Sequence, residues 1–298
     1  VYASPHTHHT FTKALRVAGL KECIVREVAL DHGLRIDPAA LRECIEHDRK
    51  GGLNPWLVAA SAGTTDSGSV DPLDAIADIA TELDVWMHVD AAYGGAFAIC
   101  EEGRRRLRGI ERSDSLVLDP HKGFFIPCGL GVVLVREGHK LYDAYHARGT
   151  YMQDVAADTE RSPCDYSAEL TRPSRALRLW LPLKMHGTAA FAAALEEKLL
   201  LARYFYDEVQ KIPGVEVGPA PDLSVVTFRF VPEEGGADTF NRALVEAISA
   251  DGRVFLASTR IDGKFVIRMA ILTYHSHLED VDLALQVIRE LIETVSFR

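Results

Sequence analysis

Val85-Trp86-Met87-His88-Val89-Asp90-Ala91-Ala92-Tyr93-Gly94-Gly95 reads as a short buried strand that ends in a carboxylate and runs into small residues. A carboxylate at the carboxyl end of a strand, flanked by alanine and glycine, can approach a flat ligand closely. Equally, it can serve as a helix cap or a salt-bridge partner. The neighbouring segments decide what kind of sheet this strand belongs to.

Upstream, Thr10 to Ala18 reads as a helix stopped by Gly19, and Cys23 to Leu30 as a strand. Asp37-Pro38 gives an N-cap and a first-turn proline for a helix to about Arg49. Trp56 to Ser61 reads as a buried strand, and Asp71-Pro72 repeats the cap signal for a helix to about Leu83. Downstream, Ser115 to Leu118 and Gly131 to Val135 read as strands. This βαβ alternation predicts a mostly parallel α/β sheet between helices, with ligands at the carboxyl ends of its strands.

The pattern then changes. Leu141 to Thr171 is polar and weakly periodic, the expectation for a helix followed by a long functional lid. Arg175 to Leu201 is strongly helical. Beyond Pro213-Gly214, strands at Val225 to Phe230, Val254 to Ser258 and Lys264 to Leu272 alternate with helices at Asp238 to Ala250 and Leu278 to Val295. Asp262-Gly263 is a hairpin turn. The expected division is a large domain over 1–187 and a smaller α+β domain over 188–298.

Composition narrows the function classes. The chain has 298 residues, 47% hydrophobic and 26% charged, an ordinary globular mixture. A net charge of -10 argues against nucleic acid and anionic membranes as partners. Arg104-Arg105-Arg106 lies among Glu101, Glu102 and Glu111 and reads as a solvated helix face. Five cysteines without a CxxC pair point to a reduced, cytoplasmic compartment. No apolar run reaches the roughly 18 residues of a membrane span, and no signal peptide is evident. The chain opens on Val1 almost inside a motif, the expectation for a fragment of a longer protein.

Two further stretches carry candidate chemistry. Ser115-Leu-Val-Leu-Asp119-Pro-His121-Lys122-Gly-Phe-Phe-Ile-Pro sets an imidazole and an amine just after a buried strand and before apolar residues. A buried amine loses its proton more readily and becomes a nucleophile. The bland alternative is a turn lysine reaching to water. Ser4-Pro-His-Thr-His8-His9-Thr gathers three histidines, but no cysteine or carboxylate with ligand spacing lies near. Ring stacking is therefore the better reading, and no metal is expected. No P-loop, dinucleotide loop, Gly-x-Ser-x-Gly or HExxH motif occurs.

Taken together, His88-Val-Asp90-Ala-Ala-Tyr-Gly-Gly and Asp119-Pro-His-Lys122 resemble the group II pyridoxal-phosphate-dependent amino-acid decarboxylases, whose members act on aromatic amino acids, histidine or glutamate. The Asp90–Lys122 interval and that from Gly63-Thr64-Thr65 and Asp71 to Asp90 match the aromatic members. Ser4-x-x-x-His8 and Phe265-Val-Ile-Arg268-Met-Ala extend the resemblance over essentially the whole chain. It implies the fold type I architecture of pyridoxal-phosphate-dependent transferases, pyridoxal 5'-phosphate as cofactor, an amino-acid substrate and a homodimer in the full-length form. It implies that Lys122 joins the cofactor aldehyde as a Schiff base and that Asp90 holds the pyridine proton. His8 would stack on the ring and Ala92 would pack on its other face. Thr65 would hydrogen-bond near Asp90, and His121 would touch phosphate or substrate. Tyr151 would be the mobile-loop acid that protonates Cα.

The sequence also departs from the family. Asp119 stands where the family has Asn near the phosphate, Gly123 replaces an aromatic residue, and Tyr274-His275 replaces Arg-Thr. The family's N-terminal segment, with the phosphate loop and much of the dimer interface, is not in this chain. The expected activity is decarboxylation of an L-amino acid, aromatic favoured. The alternatives are a decarboxylating aldehyde synthase, which a phenylalanine in place of Tyr151 would favour, and a catalytically silent truncated paralogue.

Overall fold

The computed structural model describes residues 1–147 and 161–295. Within them, one six-stranded sheet carries β1 (Tyr2–Ala3), β2 (Arg26–Glu27), β3 (Leu57–Ser61), β4 (Trp86–Asp90), β5 (Ser115–Leu118) and β6 (Val132–Val135), in the order β2-β1-β3-β4-β5-β6. All neighbours run parallel except β5 and β6, which pair antiparallel with Leu116 opposite Leu134. The βαβ alternation of the sequence is therefore met, with one antiparallel strand at the edge.

Helix α1 (Thr10–Val17) follows β1, α2 (Pro38–Lys50) follows β2 and α3 (Leu73–Glu82) links β3 to β4. At α2 the Asp37 carboxylate accepts the Ala39 and Ala40 N–H groups, as its position ahead of proline predicts. Asp71 departs from the expectation. It caps nothing, and its two oxygens instead accept the N–H of Ile36 and of Ser61, each at 2.7 Å. The strand expected over Cys23 to Leu30 shrinks to Arg26–Glu27, because at the sheet edge only these residues find a ladder partner.

Beyond the turn α4 (Glu101–Arg106), the single-turn α5 (Pro120–Gly123) and α6 (Gly138–Tyr145) lies the long helix α7 (Leu177–Val209), whose backbone breaks at Gly187. A second, antiparallel sheet follows, with β7 (Val215–Val217), β8 (Val225–Phe230), β9 (Ala257–Ile261) and β10 (Lys264–Ala270) in the order β7-β8-β10-β9. Asp262 and Gly263 both take positive φ, 49° and 76°, in the hairpin between β9 and β10. Helices α8 (Ala237–Asp251) and α9 (Leu278–Thr294) cover one face of this sheet, with Leu244, Ile248, Leu285 and Ile288 packed on Val226, Phe228 and Ile267. The strand expected from Val254 starts only at Ala257, since Lys264 to Arg268 set the register against Ile261 to Ala257.

Each sheet has its own apolar core, and α7 joins them. Leu195 and Leu199 pack with the first core, whereas Leu201, Ala202, Phe205 and Val209 pack with the second. Among the described residues no helix is long and apolar enough to cross a membrane.

Candidate active site

Parallel strands carry residues at their carboxyl ends toward one edge of the sheet, and a cavity of about 230 Å³ lies there. Ser61 ends β3 and Asp90 ends β4, and both line it. The loops after these strands contribute Thr64, Thr65, Ala92 and Tyr93. Asp119 and Lys122 enter from the turn after β5, and His6 and His8, ahead of α1, close it with Thr10, the first residue of α1.

Ala92 links the two aspartates through its backbone. Its N–H donates to Asp90 Oδ1 at 3.1 Å, and its carbonyl accepts the Asp119 N–H at 3.2 Å. Lys122 Nζ lies 3.2 Å from Asp119 Oδ2. The lysine is not buried as its apolar neighbours suggested, since 39% of its side chain is exposed. Phe124 and Ile126 go into the core, but α5 is only one turn long and presents the amine to the open cavity.

Gly123 explains one departure of the sequence. It is buried, and a Cβ there would lie 2.3 Å from the Ala96 Cβ, so in this chain a side chain after the lysine would force the turn or residues 94–99 to shift.

His8, Thr65, Asp90, Ala92, Asp119 and Lys122 thus come together around one space. His121 stands on the same turn but is not part of the wall. Its Nδ1 lies 3.5 Å from the Leu130 carbonyl and its Nε2 3.9 Å from Asp119 Oδ2. Asp90 takes its hydrogen bond from Ala92, and none joins it to Thr65. His8 Nδ1 shares a 2.7 Å hydrogen bond with the Thr10 hydroxyl, and its ring sits 4.2 Å from that of His9. Tyr151 lies outside the described residues.

The structure adds residues that the sequence reading passed over. His6 is buried in the wall with Nδ1 3.5 Å from Asp66 Oδ2, and this contact holds the Asp66 carboxyl below its usual range. Asp66 also accepts the Thr259 hydroxyl of β9, and its carbonyl accepts Arg268 Nε of β10 at 2.9 Å. Burial pushes the Tyr93 phenol up to about 12, so it stays neutral, and its oxygen accepts the Ser224 N–H at 2.8 Å. Burial likewise lowers His88 beneath the site, whose Nδ1 lies 2.9 Å from Ser115 Oγ. The signal for His6 lay in the three-histidine segment, but its partner Asp66 is 60 positions away and only folding brings them together.

The donor set fits a planar pyridine aldehyde. An amine stands at one wall and a carboxylate fixed by a backbone amide at another, with an imidazole and a methyl-sized side chain beside them.

Comparison with known proteins agrees with this geometry. The pyridoxal-dependent decarboxylase conserved domain matches residues 1–231. The chain is 36% identical to an aromatic-L-amino-acid decarboxylase of Bacillus atrophaeus, over 99% of this chain and 63% of that protein. It is 34% identical to tyrosine decarboxylase 2 of Arabidopsis thaliana, over 94% of this chain and 53% of that protein. Among solved structures, that of Oryza sativa TDC with PLP and tryptamine superposes with a TM-score of 0.91 at 32% identity, covering 98% of this chain and 62% of that one. The chain therefore spans somewhat over half the length of these relatives. On the domain match and the identity across nearly its whole length, the chain belongs to the pyridoxal-dependent decarboxylase family.

Proposed function

We propose that this chain, within its full-length protein, catalyses pyridoxal-phosphate-dependent decarboxylation of an L-amino acid, aromatic favoured, to the amine and CO₂. The observation that carries this reading is the meeting of Lys122, Asp90 and His8 around one cavity at the strand ends. The names of the relatives, among them aromatic-L-amino-acid and tyrosine decarboxylases, support the aromatic preference. A homodimer in the cytoplasm belongs to the same proposal.

When bound, pyridoxal phosphate supplies a conjugated ring that takes up the electron pair left as CO₂ departs. The chain's own residues do the rest. Lys122 would hold the cofactor through its amine. Asp90, held by the Ala92 N–H, keeps a proton on the ring nitrogen through a charge-assisted hydrogen bond. His8 would stack on the ring and the small Ala92 would pack against it, both from the cavity wall. Thr65 offers a hydroxyl at the ring edge. His121, which stands outside the cavity wall here, would have to turn from the Leu130 carbonyl to meet the phosphate or the substrate carboxylate. Tyr151 delivers a proton to the substrate Cα.

The test is borohydride reduction of the full-length protein with pyridoxal phosphate, followed by peptide mapping. A pyridoxyl group on Lys122 is expected, and one on another lysine, or on none, overturns the reading.

A further inference from the structure

The carboxylate nearest the Lys122 amine is Asp119, not Asp90. Asp119 occupies the N-cap position of α5, where an aspartate ordinarily turns its side chain back to accept an N–H of the first turn. Here that bond is not made. Oδ2 lies instead 3.2 Å from Lys122 Nζ, three positions along the same turn. The backbone brings the two residues onto one turn. The Asp119 N–H is bonded to the Ala92 carbonyl at 3.2 Å and the Lys122 N–H to the Asp119 carbonyl at 2.9 Å, so the backbones of both residues belong to one hydrogen-bonded turn. The buried Gly123 seats that turn against Ala96.

Electrostatics favours the same assignment. A carboxylate beside a phosphate dianion repels it, whereas beside an ammonium it attracts. At 3.2 Å from Nζ, the Asp119 carboxylate is placed to bind the lysine rather than the phosphate end of a ligand.

We propose that Asp119 is a positioning residue for Lys122. It pairs with Nζ as an ion pair and aims the amine into the cavity where an aldehyde is bonded. The inference rests on the reading of Lys122 as the cofactor lysine and gives Asp119 a role distinct from phosphate binding. A long, flexible side chain that is held in place by an ion pair loses less freedom on reaction, and an unaligned nucleophile reacts more slowly although its partner is bound just as well.

The experiment follows bond formation itself rather than turnover. Full-length protein freed of cofactor is mixed with a concentration series of pyridoxal 5'-phosphate and, separately, of pyridoxal, which has no phosphate. Absorbance gives the saturating concentration and the limiting rate, and borohydride mapping identifies the lysine. Asp119→Ala is expected to slow the limiting rate about tenfold or more for both aldehydes while the saturating concentration stays unchanged. Asp119→Glu keeps a carboxylate that can pair with Nζ and is expected to recover part of that rate. A loss confined to the phosphorylated aldehyde makes Asp119 a phosphate contact and overturns the proposal. So does a limiting rate that Asp119→Ala leaves unaltered. If the parent protein bonds neither aldehyde at Lys122, the function proposed above falls, and the role of Asp119 with it. Unfolding curves of the variants, coincident with the parent's, exclude a damaged fold as the cause of slowing.

Discussion

Asp90 is a small part of the chain with a large expected effect. Its carboxylate ends a strand and is oriented by a single backbone N–H, so replacing it with an amide of the same shape should preserve the fold. Asp90→Asn cannot hold the pyridinium proton, and turnover of the full-length enzyme is expected to fall by about 10²-fold or more. Steady-state kinetics on an aromatic amino acid measures this, and near-native turnover would contradict the role given to Asp90. Tyr151 makes a different prediction. A phenol donates a proton to a basic carbanion while staying neutral at pH 7. Tyr151→Phe is expected to release CO₂ still, but to yield less amine, and more aldehyde and ammonia in air. Product analysis under air and under argon decides it, and amine formed at the parental rate in both gases would remove Tyr151 from the mechanism.

At the scale of elements, buried polar side chains hold the strand ends in place. Asp71 accepts N–H groups from Ile36, ahead of α2, and from Ser61, which ends β3 and lines the cavity. Burial raises this carboxyl from 3.8 to about 6. The folded state therefore binds its proton more tightly than the unfolded state does. The stability that Asp71 contributes is full below about pH 4 and declines as pH rises through 6. Asp71→Asn does not titrate and can accept only one of the two N–H groups, a defect of roughly 1–3 kcal/mol. Urea unfolding of parent and variant is expected to show the largest difference near pH 4 and a smaller one at pH 7. A gap that widens with pH would reverse the assignment. Lys198 on α7 is the fully buried lysine of this structure. Its Nζ bonds Glu197 and the carbonyls of Tyr274 and Ser276, and so ties the segment after β10 to the helix.

Across the whole molecule, the two cores meet along a seam next to the cavity. Asp222 accepts the Val70 N–H at 2.9 Å, Tyr93 meets Ser224, and Asp66 meets Thr259 and Arg268. We propose 187/188 as the division between the two domains, at the break in α7, although that helix packs into both cores. Gly68 lets the seam close. Its φ is +74°, and a Cβ would stand 2.7 Å from that of Val225. Gly68→Ala combines an unfavourable backbone with overpacking and is expected to cost about 1–3 kcal/mol. Hydrogen exchange at Val225 and Val226 should quicken, and the denaturant midpoint should fall. Unchanged exchange there would mean that the seam is not closed by this contact.

The alternation of strand and helix, the capping of α2 by Asp37, the Asp262-Gly263 hairpin and the strand-end positions of Asp90 and Lys122 were all legible in the sequence. Each depends on residues within about ten positions of one another, where periodicity and turn chemistry act directly. The resemblance to the decarboxylases was legible for the same reason, being carried by short motifs at set intervals. Folding alone decided the rest. Asp71 looked like a cap because it precedes proline, yet it is claimed by N–H groups 35 and 10 positions away. Lys122 looked buried by its neighbours and is half open, while the buried lysine, Lys198, sits in a helix with no local mark of its role. The pairing of His6 with Asp66, and of Asp66 with β9 and β10, joins parts of the chain up to 202 residues apart. Local propensity depends only on nearby residues, whereas the partner of a polar side chain depends on which distant groups the packing of two sheets brings within hydrogen-bonding reach.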